Sequence, residues 1–321
     1  MTAIGGADSV LPSHPMRSMN SFASRGLRLG PSAGRASIAA AMLGLAAAGC
    51  HADARAMFAR LAEARLQVAD LRIQFSRAVD ASNRAVMADT DAASIDFAHE
   101  AEQSTAAVQA GADKLAEQLR GIGLPDEMRL YDGFVGHWIE YRQLDKTILE
   151  LAVENTNLKA QSLSFGPASE AADAFRDLLD TVARGTAAKD RCRVEALVDQ
   201  AVLRVREIQV LHAPHIAEPD DATMARMEKQ MAEQENAARA ALHGLGGLVA
   251  PAMRASLASA VAALDRFVDI SKKIIALSRR NTNVRSLKMS LSGRPPLAAA
   301  CEDGLRALQD ALAKEESTAT R

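Results

Sequence analysis

Aromatic residues are scarce in this chain: 3% of 321 residues, with one Trp and two Tyr. A β-sandwich or barrel draws heavily on Tyr, Phe, Val and Thr, so this shortage argues against one. The 48% apolar content rests mainly on Ala, Leu, Val, Ile and Met, a composition that favours helix. Ten prolines and no long low-complexity tract leave little room for disorder beyond the N-terminal arm. Charge of one sign is also lacking. Lys and Arg total 38 against 40 for Asp and Glu, so the basic footprint of a nucleic-acid binder is missing. Catalytic patterns are missing as well: no Gly-rich phosphate loop, no His-Glu-x-x-His, no Gly-x-Ser-x-Gly, no haem-attachment motif and no paired Glu-x-x-His. Neither an enzyme nor a cofactor is expected.

The first 49 residues hold one acid, Asp8, and four arginines, Arg17, Arg25, Arg28 and Arg35. Taking these from 40 and 38 leaves 39 acidic against 34 basic residues, about −5. An uncharged run from Ala36 to Gly49 follows, then Cys50. Basic residues, a short apolar run and small residues before a cut site are the pattern of an export signal. The run is shorter than the roughly 20 residues a membrane span needs. Leu45-Ala46-Ala47-Ala48-Gly49-Cys50 resembles a bacterial lipobox, with Ala47 where the pattern prefers Leu. That resemblance implies a signal over 1–49, lipidation at Cys50 and a periplasmic protein held to the membrane by its lipid. By the same resemblance to lipoprotein sorting, His51 rather than Asp after the cysteine implies the outer membrane.

Beyond Cys50 the apolar spacing is helical almost throughout. Helices are predicted over Ala52–Ala88, Asp91–Gly121 and Asp126–Phe165, with Gly166-Pro167 ending the third and a fourth starting near Ser169. The order then repeats. Glu154-Asn155-Thr156-Asn157-Leu158-Lys159 returns as Arg280-Asn281-Thr282-Asn283-Val284-Arg285, and Arg120-Gly121-Ile122-Gly123 as His243-Gly244-Leu245-Gly246. Phe175-Arg176-Asp177-Leu178 answers Leu305-Arg306-Ala307-Leu308. The expected fold is all-α: two tandem antiparallel four-helix bundles of long helices, 52–187 and 188–316. They are either stacked through a helix shared across Ala183–Asp190 or bent at Gly185. In that topology Cys192 and Cys301 lie at opposite ends of one bundle, too far apart for a disulfide, and both are expected to be free and buried.

Several residue groups could carry function. Asn155 and Asn281 fall on inward stripes, where a buried amide either bonds helix to helix or meets a ligand. Tyr131, Phe134, Trp138 and Tyr141 share one face of the third helix; they are either core or the wall of an aromatic pocket with His137 and Arg142 at its edge. His212 and His215, with Glu218, Asp220 and Asp221, form a weak candidate for a metal site at a turn broken by Pro214 and Pro219. Asp220 or Asp221 would more simply cap the next helix. Met224, Met227 and Met231 make a helical stripe that suits a core better than Cu(I).

Leu149–Val182 and Ile274–Leu312, with their Asn-Thr-Asn segments, resemble the late part of four-helix-bundle sensor domains of bacterial methyl-accepting chemotaxis receptors. The resemblance covers about a quarter of the chain directly, and the duplication extends it. It implies a sensor module that binds a small molecule. The chain ends at Arg321 without the receptors' second span and cytoplasmic coiled coil, so it is expected to signal through another protein. Related aspartate receptors hold ligand carboxylates with first-helix arginines at a dimer interface. Arg65, Arg72 and Arg77 lie on the first helix here, without a motif that maps them to that role. The expectation is a lipid-anchored sensor module whose partner is a small molecule or an envelope protein, with a homodimer as one assembly. The alternative is a scaffolding envelope lipoprotein that binds no small ligand.

Overall fold

A computed structural model describes residues 37–319, divided into two compact units, 1–53 and 54–321. The described part of the first unit, 37–53, is helical backbone continuous with the first helix of the second. Among the described residues there is no strand, and no helix is long and apolar enough to cross a membrane.

The described residues form ten α-helices in order: α1 Ser37–Met87, α2 Asp91–Ile122, α3 Pro125–Glu154, α4 Thr156–Leu163, α5 Ser169–Arg184, α6 Arg191–Ala217, α7 Asp221–Gly246, α8 Arg254–Arg280, α9 Thr282–Ser292 and α10 Arg294–Ala319. Capping chemistry sets many of the ends. Thr90 caps α2 through Ala93 N–H, and Asp220 caps α7 through Thr223 N–H at 2.7 Å. Pro125 opens α3, and Gly123, at φ 81°, closes α2 with its N–H on the Leu119 carbonyl.

One core takes consecutive helices and the other does not. Leu61, Leu71 and Phe75 of α1, Leu115 of α2, Phe134 and Trp138 of α3, and Cys301, Leu305 and Leu308 of α10 form one core. The other joins Phe175 and Leu179 of α5 to Val194 and Val205 of α6, Leu242 of α7, and Leu264 and Phe267 of α8. The fourth helix of each sequence copy therefore completes the opposite core, and the expected partition into 52–187 and 188–316 does not match the packing. Cross-helix contacts run antiparallel around the first core: Arg60 to Gly121 and Gln67 to Gly111, then Arg72 to Gln309, then Asp145 to Arg294. Each fully buried large side chain contributes about 1.5–3 kcal/mol.

The exchange explains three further departures. The helix predicted over Asp126–Phe165 is broken at Asn155, which is left-handed at φ 51°, ψ 39°. Gly166-Pro167 ends nothing: it sits in a π-helical turn, Ser164–Ala168, and the chain stays helical into α5. The wider turn accommodates a proline that cannot donate an N–H. The structural repeat also differs by one turn from the sequence match at Phe175. Thr156 meets Thr282 at a separation of 126, which puts Phe175 level with Cys301 rather than Leu305. A slip of four residues turns a helix by only about 40°, so the apolar stripe looks the same in either register.

No helix is shared across the middle of the chain. α5 ends at Arg184, and α6 begins at Arg191 after an irregular turn. Cys301 is free and buried, but Cys192 is exposed because the first turn of α6 projects beyond its core.

Candidate functional site

α3 and α8 each end at a left-handed asparagine, Asn155 and Asn281, where the chain leaves one core for the other. Asparagine is one of the few side chains that tolerate this conformation without the steric cost of a larger Cβ substituent. The two strands of chain meet there as a near two-fold. Thr156 N–H donates to Thr282 Oγ1 at 3.1 Å, and Thr282 N–H to Thr156 Oγ1 at 3.2 Å. Asn157 N–H donates to Asn283 Oδ1, and Asn283 N–H to Asn157 Oδ1, both at 3.1 Å. Asn157 Nδ2 reaches Asn281 Oδ1, and Asn283 Nδ2 reaches Asn155 Oδ1, both at 2.8 Å. The first N–H groups of α4 and α9, which have no partner within their own helix, are thus satisfied by the opposite copy.

The symmetry fails at the edges. Asn281 Nδ2 donates to the Glu218 carbonyl and Asn157 Nδ2 also to the Ile216 carbonyl, tying the end of α6 to the crossing. Asn155 Nδ2, equally buried, has no partner. A turn away from the crossing the two copies diverge again. On the first side Asp145 is buried with Arg294 at 2.9 Å and Ser82 at 2.6 Å, and Arg294 also bonds Asn83 and Ser290. Burial pushes the Asp145 carboxyl up, with the hydrogen bonds from Ser82 and Arg294 pulling the other way. On the second side His212, fully buried, replaces Ser82; it bonds Ser271 at 3.1 Å and Ser164 at 3.2 Å and stacks on Phe267. Burial, then the nearby His215, lowers its pKa from 6.5 to about 4, so the ring is neutral near pH 7. His215 is buried between Ser278 at 2.8 Å and Glu228 at 2.9 Å, and Arg279 holds the Glu228 carboxyl below its ordinary range.

Beside the crossing lies a recess of about 280 Å³. Its wall comes from Asn157, Leu158 and Gln161 of α4, Ser164 and Phe165 of the π turn, Ala213, Ile216 and Ala217 of α6, and Asn283 and Val284 of α9. A larger groove of about 510 Å³ runs between α2 and α3, lined by Glu102, Thr105, Ile139, Arg142, Asp145 and Lys146 among others.

The residues singled out in the sequence are placed as follows. Tyr131, Phe134, Trp138 and Tyr141 are all buried in the first core. Phe75 packs edge-on against Trp138 and Tyr141 at 5.9 and 5.1 Å, and the Trp138 and Tyr141 rings stack at 5.6 Å. Tyr131 OH donates to the Ala112 carbonyl and Trp138 Nε1 to Gln109, while Tyr141 OH has no partner. These rings line neither recess; of the patch expected around them, Arg142 alone lies on a groove wall. Asn155 and Asn281 are brought together, as conformational pivots as well as hydrogen-bonding partners. Their neighbours Thr156, Asn157, Thr282 and Asn283 carry as much of the site and were missed individually, although the repeated Asn-Thr-Asn was their signal. His212 and His215 lie not at a turn but within the last turns of α6, which runs through Pro214 to Ala217. Among the described residues no group of three or more His, Cys, Asp or Glu could hold a metal ion. Met224 and Met231 are buried, and Met227 packs against the second core. Arg65 pairs with Glu316, and Arg72 donates to Gln309 at 2.6 Å. The signal reading over residues 1–36 lies outside the described residues, and Cys50 falls in the N-terminal part of α1.

No protein-family model matches this chain, and no curated protein sequence matches it.

Proposed function

We propose that this protein is an exported, lipid-anchored sensor-like module that binds a small molecule in the periplasm and acts through another protein. The observation that supports the reading best is the crossing itself. Each core is completed by a helix whose other end is fixed, through Asn155 or Asn281, to the opposite core. A ligand that displaces α4 or α6 therefore moves helices of both cores together, a population shift between two packings rather than a local adjustment. The cavity beside the crossing gives such a ligand a place to act.

The test is a thermal-shift screen of the purified full chain against amino acids, organic acids, polyamines, aromatics and divalent metals. A ligand at a hundred times its dissociation constant adds about 2.7 kcal/mol. A hit that Thr156→Val weakens without unfolding the protein supports the sensor reading. A flat screen on folded protein favours the scaffolding lipoprotein, to which the exposed Leu203 and Val210, on one face of α6, would offer a protein contact. Anchoring is tested separately: palmitate labelling in a bacterial host should be lost in Cys50→Ala.

A further inference from the structure

We propose that the recess between α4, α6 and α9 is a binding site for a small, uncharged, largely apolar molecule. The proposal rests on the sensor reading and adds the place and the ligand class.

No residue lining the recess carries a formal charge. Its apolar wall is Leu158, Phe165, Ile216 and Val284, and the amides of Asn157 and Asn283 are already committed to the crossing. The Gln161 side chain, on the wall and exposed, makes no hydrogen bond and is free to meet one polar group of a ligand. An ion entering this space would lose its hydration with no opposite charge to replace it, which excludes carboxylates and amines. A volume of about 280 Å³ holds about nine non-hydrogen atoms at ~30 Å³ each, the volume of a water.

The duplicated chain supplies its own comparison. At the matching place in the other core stands a buried arginine, Arg294. Arg294 reaches back to Asn83 and Ser290 there. The N-caps Thr90 and Asp220 set a separation of 130 between α1 and α6, so Ala213 matches Asn83 and Ala217 matches Met87, both of which are exposed; the separation of 126 pairs Ala168 with Arg294 and Ser164 with Ser290. One backbone arrangement thus carries a buried arginine on one side, where the other has Ala168, and leaves a recess walled in part by Ala213 and Ala217. Packing alone does not ask for that difference, since close-packed cores hold few voids larger than a water. The open side also carries the π turn, a feature that clusters at functional sites, with Phe165 at its lip 68% exposed. A molecule seated here touches α4, α6 and α9 at once, next to the bond from Asn157 Nδ2 to the Ile216 carbonyl.

The test uses indole, benzyl alcohol and cyclohexanol as neutral probes, with benzoate and benzylamine as charged counterparts. Binding to the full chain is followed by saturation-transfer NMR and thermal shift. Two variants crowd the recess by enlarging alanines on its wall, Ala217→Met and Ala213→Asn; Met87→Ala is the control on the other side. At least one neutral probe is expected to raise Tm by roughly 2 °C or more, the charged probes not at all. The shift should vanish in both crowding variants and persist in Met87→Ala. Neutral probes that bind the crowding variants as well as wild type, or charged probes that bind better, would overturn the proposal and leave the sensor reading standing. No neutral binding to wild type would also overturn it, while a hit elsewhere in the broad screen would still support a sensor. Failure of both screens removes both readings. Should one crowding variant not fold, the other decides the outcome.

Discussion

Acidification should destabilise the second core well before it affects the first, and His212 sets the size of the effect. The ring is fully buried, bonded to two serines and stacked on Phe267, with no carboxylate against it. Its pKa falls from 6.5 to about 4 in the folded protein. The unfolded chain therefore binds a proton between these values that the folded chain does not, and stability drops as pH falls through that window. Above about pH 6.5 both states are neutral and the effect is absent. By about pH 4.5 the loss amounts to about 2.5 kcal/mol, approaching about 3.4 at lower pH, since one unit corresponds to about 1.36 kcal/mol. The assay is equilibrium urea unfolding of wild type and His212→Gln at several values between about pH 7.5 and 4.5. Glutamine keeps a bond to Ser271 or Ser164 and cannot titrate in this range. The quantity to read is the difference between the two proteins. Asp145, raised by burial, contributes a slope of the opposite sign, but it lies in the other core and cancels in the difference. A difference that stays flat from pH 7.5 to 4.5 would refute the reasoning.

Asn155→Ala should cost about 1–2 kcal/mol by forcing alanine into a left-handed conformation, and Asn155→Gly should cost less, because its main loss is the bond from Asn283; urea midpoints of the two variants check the order. Thr156→Val and Thr282→Val each leave a buried N–H without its acceptor and should cost about 1–3 kcal/mol, and the double variant should be non-additive because both bonds belong to one reciprocal pair. Asp145→Asn should destabilise by about 3–5 kcal/mol by stranding Arg294, whereas replacing both by apolar residues should recover much of that, as a double-mutant cycle would show. Trp138 fluorescence, which reports only the first core, should follow the same thermal transition as the circular dichroism of the whole chain; two separated transitions would contradict the exchange.

Most of the helices were legible because their signals are local. The loop between α1 and α2, the Gly-Leu-Pro stop before α3 and the cap at Asp220 depend on neighbours within a few residues, and the structure has them where the pattern puts them. The exchange depends on nothing local. A periodic stripe such as Phe175, Leu179 and Val182 says which face of a helix is buried, not which three helices bury it, and a duplicated chain offers two nearly equivalent sites for the same stripe. The break at Asn155 was hidden for a related reason. One left-handed residue interrupts a helix without disturbing the apolar spacing on either side, and Gly166-Pro167 nearby carried the stronger stop signal. The Asn-Thr-Asn repeat was visible, but a repeat shows equivalence rather than contact. That its two copies bond each other across 126 residues follows only from the fold.

The crossing also accounts for where the copies were free to diverge. Thr156, Asn157 and their counterparts must satisfy one another's backbone, so a change in one copy strands a buried donor in the other, and both copies keep the same residues there. A turn further out each core closes on itself. One core fills its polar layer with an Asp145–Arg294 pair, and the other uses a neutral histidine among serines. The buried pair occupies the space its own side chains create. The histidine layer is smaller and leaves the uncharged recess beside it. An anchor shared by both cores and an uncharged recess beside it are what a one-sided ligand would need to act on the whole unit. Crowding that recess through Ala217→Met or Ala213→Asn should therefore leave the crossing intact while removing the binding of neutral probes.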